Sequence, residues 1–152
     1  MSSGHSTFAA IVACLPATGF AINSMLQGQV EQMSAAIRSV QTCGAWSADG
    51  REGRYRVVVG DVVFGAGQEL YIQRIFQSAE DPRSHVVSTA AVRELNDDHN
   101  QHEIADVRCS VQGRTTRLIV RAVNEHDEAA RRRRFTIRLN DDGSYRLEPP
   151  RR

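Results

Sequence analysis

The chain has 152 residues, of which 41% are hydrophobic and 24% charged, and this composition excludes a collagen-like or wholly disordered protein. Nineteen basic residues, all of them arginine, stand against eighteen acidic ones, so the formal net charge is +1. The chain as a whole therefore creates no strong field that would collect nucleic acid or acidic lipid, and any such binding has to be local.

The N-terminal segment is uncharged and apolar. The first charged residue is Glu31, and residues 8–15 form an apolar run of the length found in signal peptides. Gly19 and Ala21 are small residues at the third and first positions before Ile22, which is the layout that signal peptidase requires. The pattern predicts a leader that is cleaved ahead of Ile22.

The same segment allows other interpretations. His5 stands where signal peptides usually carry Lys or Arg. Residues 11–14 also look like a bacterial lipoprotein motif with Cys14 as the lipid-bearing residue, and a membrane anchor or a cytosolic apolar segment are further alternatives. We expect an apolar leader over residues 1–21 and a single domain over 22–152. The expected location is periplasmic or secreted, with a lipoprotein attached through Cys14 or a cytoplasmic protein as the alternatives.

The cysteine count agrees with export. Once Cys14 leaves with the leader or carries lipid, Cys43 and Cys109 remain, an even pair in a secreted chain. We expect these two residues to form a disulfide. The alternative is a pair of free, buried cysteines in a cytosolic protein.

The segment after the leader shows helical periodicity. Apolar side chains recur at spacings of three and four, at Val30, Met33, Ile37 and Val40. This pattern predicts one amphipathic helix from about Ser24 to Gln41. Cys43 follows directly, so the disulfide is expected to join the end of the helix to the sheet.

The remainder of the chain has the pattern of strands separated by turn residues. Five expected strands lie at Arg54–Phe64, Glu69–Gln77, His85–Leu95, His102–Gln112 and Arg114–Asn124. Two further strands are expected to contain Phe135–Leu139 and Tyr145–Leu147. Together with the helix they predict an α+β fold, in which one N-terminal amphipathic helix packs on a curved, mostly antiparallel sheet of about six strands. A small closed β-barrel with an N-terminal helix is the alternative.

Two polar clusters are candidate sites. His99, His102 and Glu103 offer imidazole and carboxylate ligands for a divalent metal, although the segment also fits a solvated turn. The second cluster consists of Arg131, Arg132, Arg133 and Arg134, which together suggest anion binding. Acidic residues just upstream supply counter-charge, and the low aromatic content of 6% argues against a nucleic-acid platform.

No catalytic motif is present in the sequence. The chain has no G-x-S-x-G elbow, no P-loop and no dinucleotide-binding glycine pattern, so we expect no cofactor. His85 and Asp106 are the one pair that we consider for a pocket with acid and base groups.

These features favour a small exported bacterial domain, joined by a disulfide, that acts by non-catalytic binding of a protein or a small ligand. Inhibitor, immunity-type and envelope-accessory roles are all compatible with it. The alternative is a small-molecule carrier or pocket enzyme built on a cone-shaped sheet. A large enclosed pocket would favour the carrier or enzyme, whereas a filled core with an exposed patch or sheet edge would favour a partner protein. Contact with a membrane is expected only if Cys14 is lipidated.

Overall fold

The computed structural model describes residues 24–62, 67–77, 84–96 and 101–149. The chain divides into two compact units, residues 1–33 and residues 34–152. The described part of the first unit contains helix α1, Ser24–Glu31. The expected leader over residues 1–21, with Cys14, lies outside the described residues. Within the described ranges, no helix is long and apolar enough to cross a membrane.

The second unit is built from two four-stranded antiparallel sheets. Its strands, in chain order, are β1 (Ile37–Ala48), β2 (Arg51–Asp61), β3 (Gln68–Gln77), β4 (Ser84–Ala91), β5 (His102–Gln112), β6 (Thr115–Asn124), β7 (Arg132–Leu139) and β8 (Tyr145–Glu148). The first sheet has the order β1-β2-β3-β4 and the second β5-β6-β7-β8. Each sheet is therefore a meander in which every strand pairs with its neighbour in sequence.

Tight turns set the register of both meanders. Asp49 and Gly50 connect β1 to β2, and their φ angles of 53° and 70° are those of a type I′ turn, which matches the twist of the two strands. Gly113, with a φ of 58°, begins the two-residue turn between β5 and β6. Glycine tolerates a positive φ because it lacks a Cβ atom, and aspartate is one of the few other residues that adopt it.

The core lies between the two sheets. It is formed because buried apolar residues alternate with more exposed residues along the central strands β2 and β6. In β2, Tyr55, Val57 and Val59 are buried, and each is at most 4% exposed. In β6, the buried residues are Thr116, Leu118, Val120 and Ala122, each at most 2% exposed. All members of this apolar cluster come from the second unit. Burying each large side chain stabilises the fold by about 1.5 to 3 kcal/mol relative to exposure.

The edges of the two sheets are joined at β1 and β5. Cys43 and Cys109 form a disulfide with a Cα–Cα distance of 5.5 Å. Close by, the Gln41 side chain donates a hydrogen bond from Nε2 to the carbonyl oxygen of Val107 at 3.1 Å. The predicted cysteine pair is thus bonded in the structure, and it joins one sheet to the other.

The predicted α+β fold is wrong. The expected helix over Ser24–Gln41 ends at Glu31, and Ile37–Ala48 form a strand. The eight strands form two sheets, so the structure has neither one sheet of about six strands with a helix packed on it nor a single closed barrel.

The apolar spacing in this segment was misleading for a physical reason. Met33 and Val40 are 51% and 45% exposed, so they do not form the buried face of a helix. From Ile37 onward the segment leads into the Asp49–Gly50 turn, which returns the chain along β2. The ten residue pairs between β1 and β2 stabilise the strand more than a single row of apolar residues would stabilise a helix.

Candidate functional site

The outer face of the second sheet is rich in arginine. Residues that face each other on neighbouring antiparallel strands lie on the same side of a sheet, so the pairing register identifies this face from the buried residues of β6. Seven arginines belong to it, namely Arg108, Arg117, Arg121, Arg132, Arg134, Arg138 and Arg146. Three carboxylates share it, namely Glu103, Asp106 and Glu148. We call these ten residues and the uncharged side chains between them the basic face, which carries an excess of four positive charges.

The arginines are arranged in rows across the strands. Arg117 of β6 is directly opposite Arg138 of β7, which in turn is directly opposite Arg146 of β8. In a second row, Arg121 is opposite Arg134 on one side and Asp106 of β5 on the other. Side chains in such positions have their Cβ atoms about 5 Å apart, and like charges there are destabilising. The sheet therefore holds a costly charge arrangement that an external anion would relieve.

Most of these arginines form no ion pair with an acidic residue among the residues that the structure describes. Arg108 pairs with Asp106 at 2.8 Å, and Arg117 pairs with Glu148 at 2.9 Å. In the part of the chain that the structure describes, no ion pair is formed by Arg121, Arg132, Arg134, Arg138 or Arg146. Their guanidinium groups are available for a ligand.

The first sheet does not show this excess. On the outer face of its central strands, Arg54 and Arg56 are accompanied by Glu52 and Glu69. Arg56 also donates from Nε to the side-chain oxygen of Gln73 at 2.8 Å. The net charge of +1 therefore hides an uneven distribution between the two faces.

A cleft of about 320 Å³ opens within the basic face. Its charged wall consists of Arg117, Arg134 and Glu148, and Ile119 and Pro149 contribute apolar surface. The Arg117 side chain is only 21% exposed, because its Nε donates to both carboxylate oxygens of Glu148. The cleft is shaped by this ion pair, so its geometry exists before any ligand arrives.

A broader groove of about 1040 Å³ runs beside β1 and β2. Its charged lining is mixed, with acidic residues at Glu52 and Asp141 among its arginines. Trp46 in this groove is 2% exposed, its Nε1 donates to the Arg54 carbonyl oxygen at 3.2 Å, and the Arg74 guanidinium lies 5.0 Å from its ring. With three arginines against two carboxylates, the groove has a net charge of +1 spread over a larger volume, and it offers no open aromatic face.

Comparisons of the chain with protein-family models, curated proteins and solved structures found no match. The site is therefore interpreted from its own chemistry.

The residues of the expected metal site do not form a ligand cluster in the described part of the chain. His99 lies outside the described residues. His102 is 3% exposed and its ring packs edge-on against Phe135 at 5.7 Å, whereas Glu103 is exposed on the basic face. No group of three or more potential metal ligands occurs among the described residues.

The expected pocket pair is separated by the fold. His85 lies on β4 at the edge of the first sheet, and Asp106 lies on β5 in the second sheet. Asp106 accepts a hydrogen bond from Arg108 Nε at 2.8 Å, as expected for a surface ion pair. Neither residue lines the cleft or the groove described above.

The expected anion site at residues 131–134 is divided between different surroundings. Arg132 and Arg134 lie on the basic face, whereas Arg133 is opposite Ala122 on the other side of the sheet. Arg131 precedes β7 and donates to Asp127 at 3.1 Å. The Arg131 guanidinium holds the pKa of the Asp127 carboxyl below its usual value.

Sequence reasoning missed most of the basic face because it searched for consecutive charges. Arg117 and Arg121 alternate with apolar residues along β6, and Arg138 and Arg146 are distant in sequence. The pattern that could have predicted this face is the spacing of arginines by an even number of residues along the strands, which places them on one side of the sheet.

Proposed function

We propose that this chain is an exported, disulfide-linked domain that acts by non-catalytic binding of an acidic partner protein through the basic face. The observation that carries the proposal is the pair of arginine rows, in which like charges face one another and five guanidinium groups have no ion pair among the described residues. Binding of carboxylates would relieve this repulsion.

The composition of the face favours a protein as the partner. Arginine is enriched in protein interfaces, and Ile119 and Val123 supply isolated apolar contacts between the charged side chains. No aromatic residue occupies a strand position on the basic face, so the described residues provide no stacking platform for bases.

The alternative of a carrier or enzyme with a cone-shaped sheet receives less support. Its ligand would occupy the interior of a single curved sheet, whereas the space between the two sheets is filled by apolar side chains. The cleft and the groove described above both lie at the surface. The cleft, at about 320 Å³, is at the lower end of the volume range for small-molecule sites, and the groove, at about 1040 Å³, is at the upper end but is broad and open.

The first experiment measures binding of the folded protein to poly-L-glutamate at low and at physiological salt. We expect binding that weakens as salt increases, since the contacts are made by exposed charges. Single-stranded DNA and an anionic lipid vesicle serve as competing probes. Tighter binding to either of them than to poly-L-glutamate would contradict the proposal.

Matched variants test whether the basic face is responsible. The double variant R134Q/R138Q removes two charges from this face, and R54Q/R56Q removes two charges from the outer face of the first sheet. We expect the first variant to lose about tenfold or more in affinity for poly-L-glutamate and the second to lose about twofold or less. Equal losses would show that binding depends on net charge alone.

The proposed export is tested separately by the mass of the protein recovered from a bacterial periplasm and cytosol, with and without reductant and thiol alkylation. We expect cleavage ahead of Ile22 and no alkylation of Cys43 or Cys109 before reduction. A full-length cytosolic species with three reactive thiols would contradict export.

A further inference from the structure

We infer that the cleft in the basic face binds a single carboxylate group, supplied by an acidic side chain of the partner. This inference rests on the proposed function and assigns the position at which the partner is anchored.

Arg117 is the central group of the cleft. Its Nε is used in the ion pair with Glu148, but neither of its Nη atoms donates a hydrogen bond within the described part of the chain. These atoms keep the planar fork that binds a carboxylate through two parallel hydrogen bonds. Because Glu148 already holds the Arg117 side chain, little side-chain entropy remains to be lost when a ligand binds.

Further groups in the cleft complete a carboxylate site. Arg134 supplies a second guanidinium group without an ion pair among the described residues. Ser110 and Thr136 place hydroxyl groups in the same cleft, and Ile119 offers apolar contact for the aliphatic part of an acidic side chain. The combination of forked donors, hydroxyl groups and a small apolar surface matches the chemistry of a glutamate side chain.

The charge balance of the cleft selects a singly charged ligand. Arg117 and Arg134 contribute two positive charges and Glu148 one negative charge, so the wall carries a net charge of +1. One carboxylate neutralises this charge, whereas a doubly charged phosphate would bring a second negative charge close to the Glu148 carboxylate and be repelled by it.

The test uses the full protein and three probes, namely an oligoglutamate peptide, propionate and inorganic phosphate. Arg134→Gln removes a cleft charge, and Arg132→Gln removes the same charge from the same strand and the same face outside the cleft. We expect Arg134→Gln to lower the affinity for oligoglutamate about tenfold and Arg132→Gln about twofold or less. In NMR titrations of the wild type, propionate should shift the signals of cleft residues, and phosphate should compete less well.

Equal losses in the two variants would overturn the inference and leave the proposed function intact, since the whole face would then act by charge alone. Stronger competition by phosphate than by propionate would overturn the choice of a carboxylate. If the wild type binds propionate but not oligoglutamate, the proposed function is contradicted. The inference that a partner protein supplies the carboxylate is then contradicted as well.

Arg117→Lys provides a second test that separates the fork from the charge. Lysine keeps the positive charge and can still pair with Glu148, but it cannot form two parallel hydrogen bonds. We expect about a tenfold loss of oligoglutamate affinity with an unchanged midpoint of urea unfolding. Full retention of affinity by the lysine variant would contradict the role of the fork.

Discussion

Tyr55 places a phenolic hydroxyl group in the apolar core. Its side chain is 1% exposed, and the hydroxyl has no hydrogen-bond partner in the described part of the structure. Burial, followed by the Asp141 carboxylate, raises the pKa of Tyr55 to about 12. A buried hydroxyl without a partner costs stability, so this residue weakens the core in which its ring packs.

We expect Tyr55→Phe to raise the free energy of unfolding at neutral pH by about 1 kcal/mol, because it removes the unsatisfied hydroxyl and keeps the ring. In the wild type the unfolded state loses its phenol proton near pH 10 and the folded state only near pH 12. Stability should therefore be unaffected by this group below pH 10 and fall by about 3 kcal/mol as the pH rises through this window. The chain has no lysine, but the pKa values of Tyr71 and Tyr145 are also raised, by the hydrogen bond to Glu69 and by burial respectively, so these residues add their own alkaline loss of stability.

Urea unfolding at neutral and at alkaline pH measures both effects. Tyr71→Phe is the matched control, since the Tyr71 hydroxyl donates to Glu69 at the surface side of β3. The control should lose a hydrogen bond and keep the alkaline decrease that Tyr55 causes. A Tyr55→Phe variant with the same alkaline decrease as the wild type would contradict the assignment.

At the scale of elements, the arginine rows of β6, β7 and β8 place like charges directly opposite one another. Arg138 is the middle member of the first row, with Arg117 on one side and Arg146 on the other. The repulsion acts between partly exposed groups, so salt screens it. The sheet tolerates the rows because the inner faces of the same strands are fully packed, as at Leu118 and Ile137.

We expect Arg138→Gln to stabilise the protein by about 0.5 to 1 kcal/mol at low salt, because it removes two repulsive cross-strand pairs. The gain should shrink as salt is added. Arg54→Gln on the first sheet is the control, since the residues opposite Arg54 are Ala45 and Ile75 and no repulsion is relieved. Urea unfolding at two salt concentrations measures the difference, and a loss of stability in Arg138→Gln would contradict the repulsion.

The same scale shows what the sequence could and could not predict. Alternation and turn residues located β5 correctly at both ends and predicted the strand that contains Ile137 and Leu139. Strand β1 was not predicted, because its first apolar residues fit a helical spacing. The Asp49–Gly50 turn, which pairs β1 with β2, lies beyond that segment. The basic face was missed because its rows exist only after strands have paired, and pairing register is a tertiary property.

At the scale of the whole molecule, the disulfide is a second covalent connection between the two sheets, besides the backbone that leads from β4 to β5. Cys43 and Cys109 are separated by 66 residues, and the segment between them contains most of the first sheet. The pairing of Cys43 with Cys109 was predictable by counting cysteines. That the bond joins two sheets was not predictable, because the sequence pattern placed Cys43 at the end of a helix and not on strand β1.

We expect the double variant C43A/C109A to lose about 4 kcal/mol of stability, the value given by the chain-entropy model for a loop of this length. Denaturant unfolding of the wild type with and without reductant provides the comparison. Reductant should lower the wild-type midpoint toward that of the variant and leave the variant unchanged. An unaltered wild-type midpoint under verified reduction would contradict this role of the disulfide.

The order of the strands also determines what a single break in the backbone would do. Every strand pair in the described chain joins sequence neighbours within one sheet, and the sheets are divided between β4 and β5. A cut between residues 96 and 101 therefore separates no paired strands and leaves each fragment with a complete meander. The two fragments would still be held together through Cys43 and Cys109, as a two-chain protein that comes apart only when it is reduced.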